Sequence, residues 1–145
     1  MSESLFDRLG GRPTLEKVHK IFYDKVYAHP WIGQFFQGID QKHIEDQQTD
    51  FMTESFGGPN GIYFGKLPYV AHRHMFINQE LFDLRRELLK ESLVEAQVPE
   101  ELMAAWLKID GAFKMGIVKD SLEDCEKRYQ SEDIIVIPNP EKKAA

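Results

Sequence analysis

Apolar side chains recur at intervals of three and four residues through most of this chain. This spacing places them on one face of an α-helix and disfavours strands, whose side chains alternate with a period of two. The first run starts at Pro13, a favourable first residue for a helix. Its apolar members are Leu15, Val18, Phe22 and Val26. We therefore predict a long first helix that ends near His29-Pro30.

Glycine and proline residues divide the rest of the chain into further pieces of helical length. Helices are predicted to start at Asp40, Pro68, Asn78 and Pro99, and the last is softened by Gly111 and Gly116. The β-branched run from Ile134 to Ile137 is expected to be extended and to lie on the surface. About six helical pieces without a sheet predict an all-α fold.

Composition and charge exclude several classes of function. Hydrophobic residues make up 42% and charged residues 29% of the 145 residues, which is typical of one soluble globular domain. The net charge of -6 and the lack of a basic run argue against nucleic acid as a partner. No apolar stretch is long enough for a membrane span or a signal peptide, so we expect a cytoplasmic protein without a membrane partner.

Histidines are the natural candidates for a metal or acid-base site. Glu16-x-x-His19 matches half of a di-iron motif, but no second half is present. On a helix, His72 and His74 would be separated by roughly 200°, so we expect that they cannot bind one metal together. His72 has apolar neighbours in sequence, which leaves two interpretations, a packed core histidine or a single metal ligand.

No motif for a self-contained catalytic machine is present. Cys125, the single cysteine, has acidic neighbours that would raise the pKa of its thiol. The glycine-rich phosphate-binding motifs and the nucleophile-elbow motif are missing from the sequence. We therefore expect that any chemistry is that of a bound cofactor.

Several local motifs occur in an informative order. They are Leu5-Phe6-Asp7-Arg8-Leu9-Gly10-Gly11, Phe22-Tyr23, Phe35-Phe36, Phe56-Gly57-Gly58-Pro59, Ala71-His72 and Val98-Pro99-Glu100-Glu101-Leu102. From about Leu5 to Lys119 the chain resembles the truncated haemoglobins, most closely group I. The resemblance implies a two-over-two helical sandwich around haem. We expect a globin domain over residues 1–130 and a partly extended or flexible C-terminal extension over 131–145.

The resemblance also implies roles for individual residues. His72 matches the proximal histidine that binds the haem iron, and Tyr23 and Gln48 match the distal polar pair of group I. Other residues match positions that pack on, line or flank the haem pocket: Phe22, Phe36, Ile44, Phe51, Val70 and Met75. Independently of the family, Gln48 interrupts an apolar helix stripe between Ile44 and Phe51, where a buried amide needs a hydrogen-bonding partner.

Arg85 departs from the family pattern. It lies thirteen residues after His72, where the family usually has an apolar side chain or a tryptophan near the haem. A buried guanidinium without a partner would be costly, so we expect Arg85 to reach a haem propionate or another carboxylate. The alternative is a rotated helix that leaves Arg85 in solvent.

The function implied by the resemblance is reversible oxygen binding at a five-coordinate ferrous haem, with nitric oxide and carbon monoxide as other gas ligands. Oxidation of nitric oxide to nitrate, with a reductase as partner, is the first candidate for turnover, and a peroxidase-like activity is another. A haem-based redox or sensing role is an alternative. So are a haem-free helical interaction module and a non-haem iron site.

Overall fold

Six α-helices and two short 3-10 helices make up the regular structure in the computed structural model, which describes residues 3–59, 61–63, 71–127 and 132–140. The helices are α1 (Leu5–Leu9), α2 (Arg12–Ala28), α3 (Gln41–Ser55), α4 (Gln79–Glu95), α5 (Glu100–Gly111) and α6 (Lys114–Ile117). The 3-10 helices are Ile32–Phe36 and Leu122–Asp124. Within the described ranges there is no β-strand, and the all-α prediction is confirmed. None of these helices is long and apolar enough to cross a membrane.

The helix starts follow the capping residues that the sequence offers. The Asp40 side chain accepts a hydrogen bond from the amide of His43 at 2.9 Å, and Asn78 caps α4 in the same way through Leu81. Each cap satisfies an amide that has no partner inside the helix. The predicted weakening of the helix at Gly111 is also confirmed. Helix α5 ends there, and only one short helix, α6, follows it.

Helix α2 lies at the centre of the fold and packs against α3 and α4. All four apolar residues of its predicted stripe are buried. On α3 the most deeply buried residues are Thr49, Met52 and Thr53, whereas Ile44 and Gln48 are half-buried. The Thr53 hydroxyl donates to the Thr49 carbonyl at 2.7 Å, so this polar face needs no water. The apolar stripe predicted for α3, which contains Ile44 and Gln48, therefore lies mostly beside the contact between α2 and α3 and not within it.

The Gly57-Gly58 pair allows the end of α3 to approach α1 closely. A Cβ atom on Gly58 would lie 2.7 Å from the ring of Phe6, and Gly57 has a positive φ of 83°. The amide of Phe6 donates to the carbonyl of Phe56 at 3.0 Å. Side chains at either glycine would therefore push α1 away from the core or strain the turn.

The C-terminal segment is extended, as predicted, but it does more than lie on the surface. Ile135 forms a parallel bridge with Met75, and Ile135 and Ile137 pack half-buried against the core. Trp31 donates from Nε1 to the Ile137 carbonyl at 2.8 Å. The expectation that this segment only lies on the surface is therefore wrong. Residues 132–140 pack onto the helices through backbone pairing and through the apolar side chains of Ile135 and Ile137. The predicted boundary at residues 130 and 131 lies outside the described residues.

Candidate functional site

A cavity of about 390 Å³ lies between α2, α3, α4 and the segment that follows residue 70. Its volume falls within the range usual for sites that bind small molecules and cofactors. Aromatic and aliphatic side chains form most of its wall, and they include Phe22, Val26, Ile32, Phe35, Phe36, Ile39, Ile44, Phe51, Tyr63, Met75, Ile77, Leu81, Phe82, Phe113, Ile117 and Ile135. Few polar groups face this space, so each one is a candidate for a specific role.

The site residues predicted from the sequence converge on this cavity. Those that line it are Phe22, Tyr23, Phe36, Ile44, Gln48, Phe51, His72, Met75 and Arg85. The remaining predicted residue, Val70, lies outside the described residues. The structure therefore brings together side chains from three α-helices, the first 3-10 helix and the segment after residue 70, which are far apart in the sequence.

Tyr23 and Gln48 bring hydrogen-bonding groups into the cavity. Tyr23 is 6% exposed, and its ring packs edge-on against those of Phe22 and Phe36. Within the described part of the chain, neither the Tyr23 hydroxyl nor the Gln48 amide makes a hydrogen bond. Burial raises the pKa of Tyr23 well above its ordinary value, so the phenol keeps its proton and remains a donor.

His72 and His74 both line the cavity, contrary to the expectation that they point to different faces. Among the described residues of this segment, only Ala71 and His72 are helical, and a turn follows at residues 73–74. The angular separation expected for a continuous helix therefore does not apply. His74 is buried, and its Nε2 lies 3.6 Å from Oε1 of Glu132, which is also buried.

Arg85 has the acidic partner that its position requires. Its guanidinium donates two hydrogen bonds to Asp110, at 2.7 and 2.9 Å, and lies 5.5 Å from the ring centroid of Phe22. Asp110 is 4% exposed. The alternative of a solvated Arg85 on a rotated helix is wrong, because the pair is part of the cavity wall.

Asp110 is a cavity residue that sequence reasoning missed. It lies four residues after Trp106 and eight after Leu102, so it shares the buried stripe of α5. An arginine and an aspartate that each interrupt an apolar helix stripe indicate a buried ion pair. The sequence therefore indicated that Arg85 has an acidic partner, although it did not show which acidic residue that is.

The alternative di-iron site has no support in the geometry. Glu16 is exposed and pairs with Arg12 at 2.9 Å, whereas His19 is buried and shares a 2.7 Å hydrogen bond with Thr49. Burial lowers the pKa of His19 to about 3, so its imidazole is neutral at pH 7. The described residues contain no cluster of three or more histidine, cysteine or acidic side chains that could hold a metal ion.

Comparison with known proteins gives the class of this fold. Residues 4–118 match the family model of the bacterial-like globins. The group 1 truncated haemoglobin of Tetrahymena pyriformis is 34% identical over 107 residues, which cover 74% of this chain and 88% of that protein. A group 1 truncated haemoglobin of Synechocystis sp. is 32% identical over 113 residues, covering 75% of this chain and 90% of that protein.

Solved structures agree with the sequence relatives. The Fe(III) form of the truncated haemoglobin from Tetrahymena pyriformis superposes with a TM-score of 0.74 at 31% identity, covering 80% of this chain and 98% of that one. The 2/2 haemoglobin from Synechococcus sp. PCC 7002, with covalently attached haem, gives 0.69 at 30% identity, covering 75% and 91%. The fold and its cavity are therefore those of a globin of the 2/2 type. Within that class, the chain belongs to group I of the truncated haemoglobins.

Haem iron is the cofactor of this globin. The cavity fits such a group on its own chemistry, since it combines aromatic walls, imidazole groups and the hydrogen-bonding side chains of Tyr23 and Gln48. The alternative of a haem-free interaction module is set aside on these grounds. Diatomic gases are the class of ligand that the globin family supports.

Proposed function

We propose that this globin binds oxygen reversibly at a haem iron held by His72, and that Tyr23 and Gln48 donate hydrogen bonds to the ligand. One observation supports the proposal above all. The Tyr23 hydroxyl and the Gln48 amide face the same cavity as His72, and neither is satisfied by another group in the described chain. Tyr23 is buried and Gln48 is half-buried, and a polar ligand in the cavity would give each of them a hydrogen-bonding partner.

The chain contributes the environment in which the cofactor works. Ferrous haem iron supplies a site for a diatomic gas and one electron for conversion of nitric oxide and oxygen to nitrate. His72 would hold the iron, while Phe36, Met75 and their apolar neighbours would pack around the ring and exclude water. In such a dry site the hydrogen bonds from Tyr23 and Gln48 are stronger than they would be in water.

Tyr23 acts as a hydrogen-bond donor and not as a proton source. Its raised pKa keeps the phenol protonated at neutral and moderately alkaline pH. A donor of this kind stabilises a ligand that develops negative charge and leaves an apolar ligand unaffected. The pair Tyr23 and Gln48 therefore favours oxygen over carbon monoxide, because bound oxygen is the more polar ligand.

Oxidation of nitric oxide is the turnover that slow oxygen release would allow. Nitric oxide, oxygen and one electron together give nitrate, so atoms and charge balance when one electron is supplied. Continued turnover then requires a reductase that returns this electron, and we propose a cytoplasmic electron donor as the partner. A single cysteine without a possible internal disulfide is compatible with a reducing compartment.

The assignment of His72 can be tested against its neighbour. We expect His72→Ala to abolish the iron-histidine stretching band in the resonance Raman spectrum of the ferrous protein and to weaken haem retention. His74→Ala, the matched control from the same cavity, should retain the band, because His74 lies beside Glu132. A band that persists in His72→Ala and disappears in His74→Ala would overturn the assignment.

A further inference from the structure

The segment from His72 to Ile77 bears the proposed iron ligand, yet most of it lacks regular helix. Many of its backbone groups bond to residues much later in the chain. Arg73 accepts from the amide of Glu126 at 2.7 Å, and Ile77 accepts from the amide of Lys119 at 2.8 Å. A segment without helical hydrogen bonds keeps one conformation only if other groups satisfy its backbone. Here the later part of the chain supplies them.

Ile135 holds the same segment from the other end of the chain. Its amide donates to the His74 carbonyl and its carbonyl accepts from the amide of Phe76, both at 2.8 Å. Its side chain forms part of the cavity wall. Two residues further on, the Ile137 carbonyl accepts from Trp31 Nε1, which ties this segment to the first half of the fold.

Lys119 makes the most unusual contact with this segment. It is 7% exposed, and its ammonium group donates to the carbonyls of both His72 and Met75. Within the described chain it forms no ion pair, so the two carbonyls are what stabilise its buried charge. Burying an ammonium group is costly, and hydrogen bonds from a charged donor are stronger than those from a neutral one. The contact therefore fixes the backbone at the residue that would carry the iron.

We propose that Lys119 and Ile135 are positioning residues for the haem ligand, and that through the His72–Ile77 segment they set the rate at which haem leaves the cavity. This inference rests on the proposed role of His72. Lys119 directly follows positions 4–118, over which the family model matches the chain, and Ile135 lies well beyond them. The support therefore comes from the end of the matched region and from the segment after it.

Lys119→Met provides the first test, because it removes the donors and keeps most of the apolar side chain. The measurements are haem transfer to an excess of an acceptor apoglobin, the iron-histidine stretching band, and unfolding of the apoprotein. We expect haem loss to accelerate about tenfold or more, the factor that corresponds to 1.4 kcal/mol, and the stretching band to shift. Lys119→Arg should recover much of the parent's retention, and Lys114→Met, at an exposed lysine, should match the parent.

Ile135→Pro gives an independent test, because proline cannot donate to the His74 carbonyl. Val136→Pro is its control, since Val136 is exposed and its amide makes no hydrogen bond within the described chain. Faster haem loss in Ile135→Pro, but not in Val136→Pro, would support the proposal. If Lys119→Met does not fold, the comparison of these two proline variants is the deciding test. Haem loss within twofold of the parent in both test variants would overturn it. The proposal would also be overturned if haem loss became faster only in proportion to a loss of apoprotein stability, while the iron-histidine stretching band stayed unchanged.

Failure of this inference can be distinguished from failure of the proposed function. If His72→Ala retains the iron-histidine band, the proposed ligand is wrong, and the inference fails with it. If His72→Ala loses the band while Lys119→Met and Ile135→Pro behave like the parent, His72 is the ligand and only the positioning role is overturned.

Discussion

At the scale of single residues, the charged pair in the cavity wall is the most consequential feature. Arg85 and Asp110 come from different helices and meet through two short hydrogen bonds. The Arg85 guanidinium also lies near the rings of Phe22 and Phe82. Each charge makes burial of the other tolerable, so neither residue can be changed alone without leaving an unpaired charge.

Substitution of Arg85 by Met should lower the free energy of unfolding by about 3–5 kcal/mol, because buried Asp110 loses its partner. The double variant Arg85→Met with Asp110→Leu should recover most of this loss. Urea denaturation of the apoproteins measures both effects. Arg8→Met is the control, since the Arg8 to Glu101 pair is exposed and such pairs contribute less than about 1 kcal/mol. A double variant as unstable as the single one would contradict this account.

Individual site residues could be predicted from the sequence to different extents. The need of Arg85 for an acidic partner followed from its place on an apolar stripe, but Asp110 could not be selected, because pairing depends on how α4 packs against α5. The direction of His74 was predicted wrongly. The helical angle no longer applies where the chain leaves the helix after His72.

At the scale of helices, the contact between α2 and α3 combines an apolar stripe with a buried polar pair. His19 is 2% exposed, and its Nδ1 lies 2.7 Å from Thr49 Oγ1. Its ring also lies edge-on to Trp106. This arrangement favours a neutral imidazole, because burial and the positive charge of Arg85 both disfavour a protonated ring.

The contact should become weaker at low pH. The pKa of His19 is lowered to about 3, from 6.5 in an unfolded chain. Between these values the unfolded chain binds one more proton than the native protein, so stability falls as pH falls, by about 1.4 kcal/mol per pH unit. Denaturation of His19→Gln and its parent between pH 6 and pH 4.5 tests this effect. His43→Gln, at an exposed position, is the control. Parallel pH profiles for the parent and His19→Gln would show that the burial argument is wrong.

Helix boundaries were predictable where local groups determine them. Asp40, Asn78 and Gly111 act within one turn of their own helix, and the structure confirms all three. The segment after His72 was not predictable in the same way. Its hydrogen-bonding partners, Lys119, Glu126 and Ile135, are more than forty residues away, and local sequence carries no signal of them.

At the scale of the whole molecule, the fold surrounds a cavity that haem is expected to fill. Cofactor binding to the native state alone stabilises a protein by mass action. We predict that the free energy of unfolding is about 4 kcal/mol higher with free haem at about 1,000 times its dissociation constant than without haem. Thermal melting with and without haem checks this value. Hydrogen exchange should increase first in residues 71–77. Equal melting temperatures would contradict a haem-filled cavity.

The overall architecture was more predictable than its C-terminal part. Motifs from Leu5 to Leu102 have a fixed order and spacing, and these predicted the truncated globin fold that the comparisons confirm. The short run from Ile134 to Ile137 indicated an extended conformation, but four residues do not show which surface they will join. Docking beside Met75 depends on backbone groups whose position is fixed only once the helices have assembled.

The central claim is that Tyr23 and Gln48 hold oxygen in the cavity, and the oxygen dissociation rate tests it most directly. Stopped-flow measurements should compare the parent with Tyr23→Phe, Gln48→Leu and the double variant, each with haem bound. A hydrogen bond to a partly charged acceptor contributes about 1.5–3 kcal/mol, so dissociation should accelerate roughly ten- to a hundredfold for a single variant. The double variant should be faster still. Rates within twofold of the parent in all three variants, with haem retained, would contradict the account.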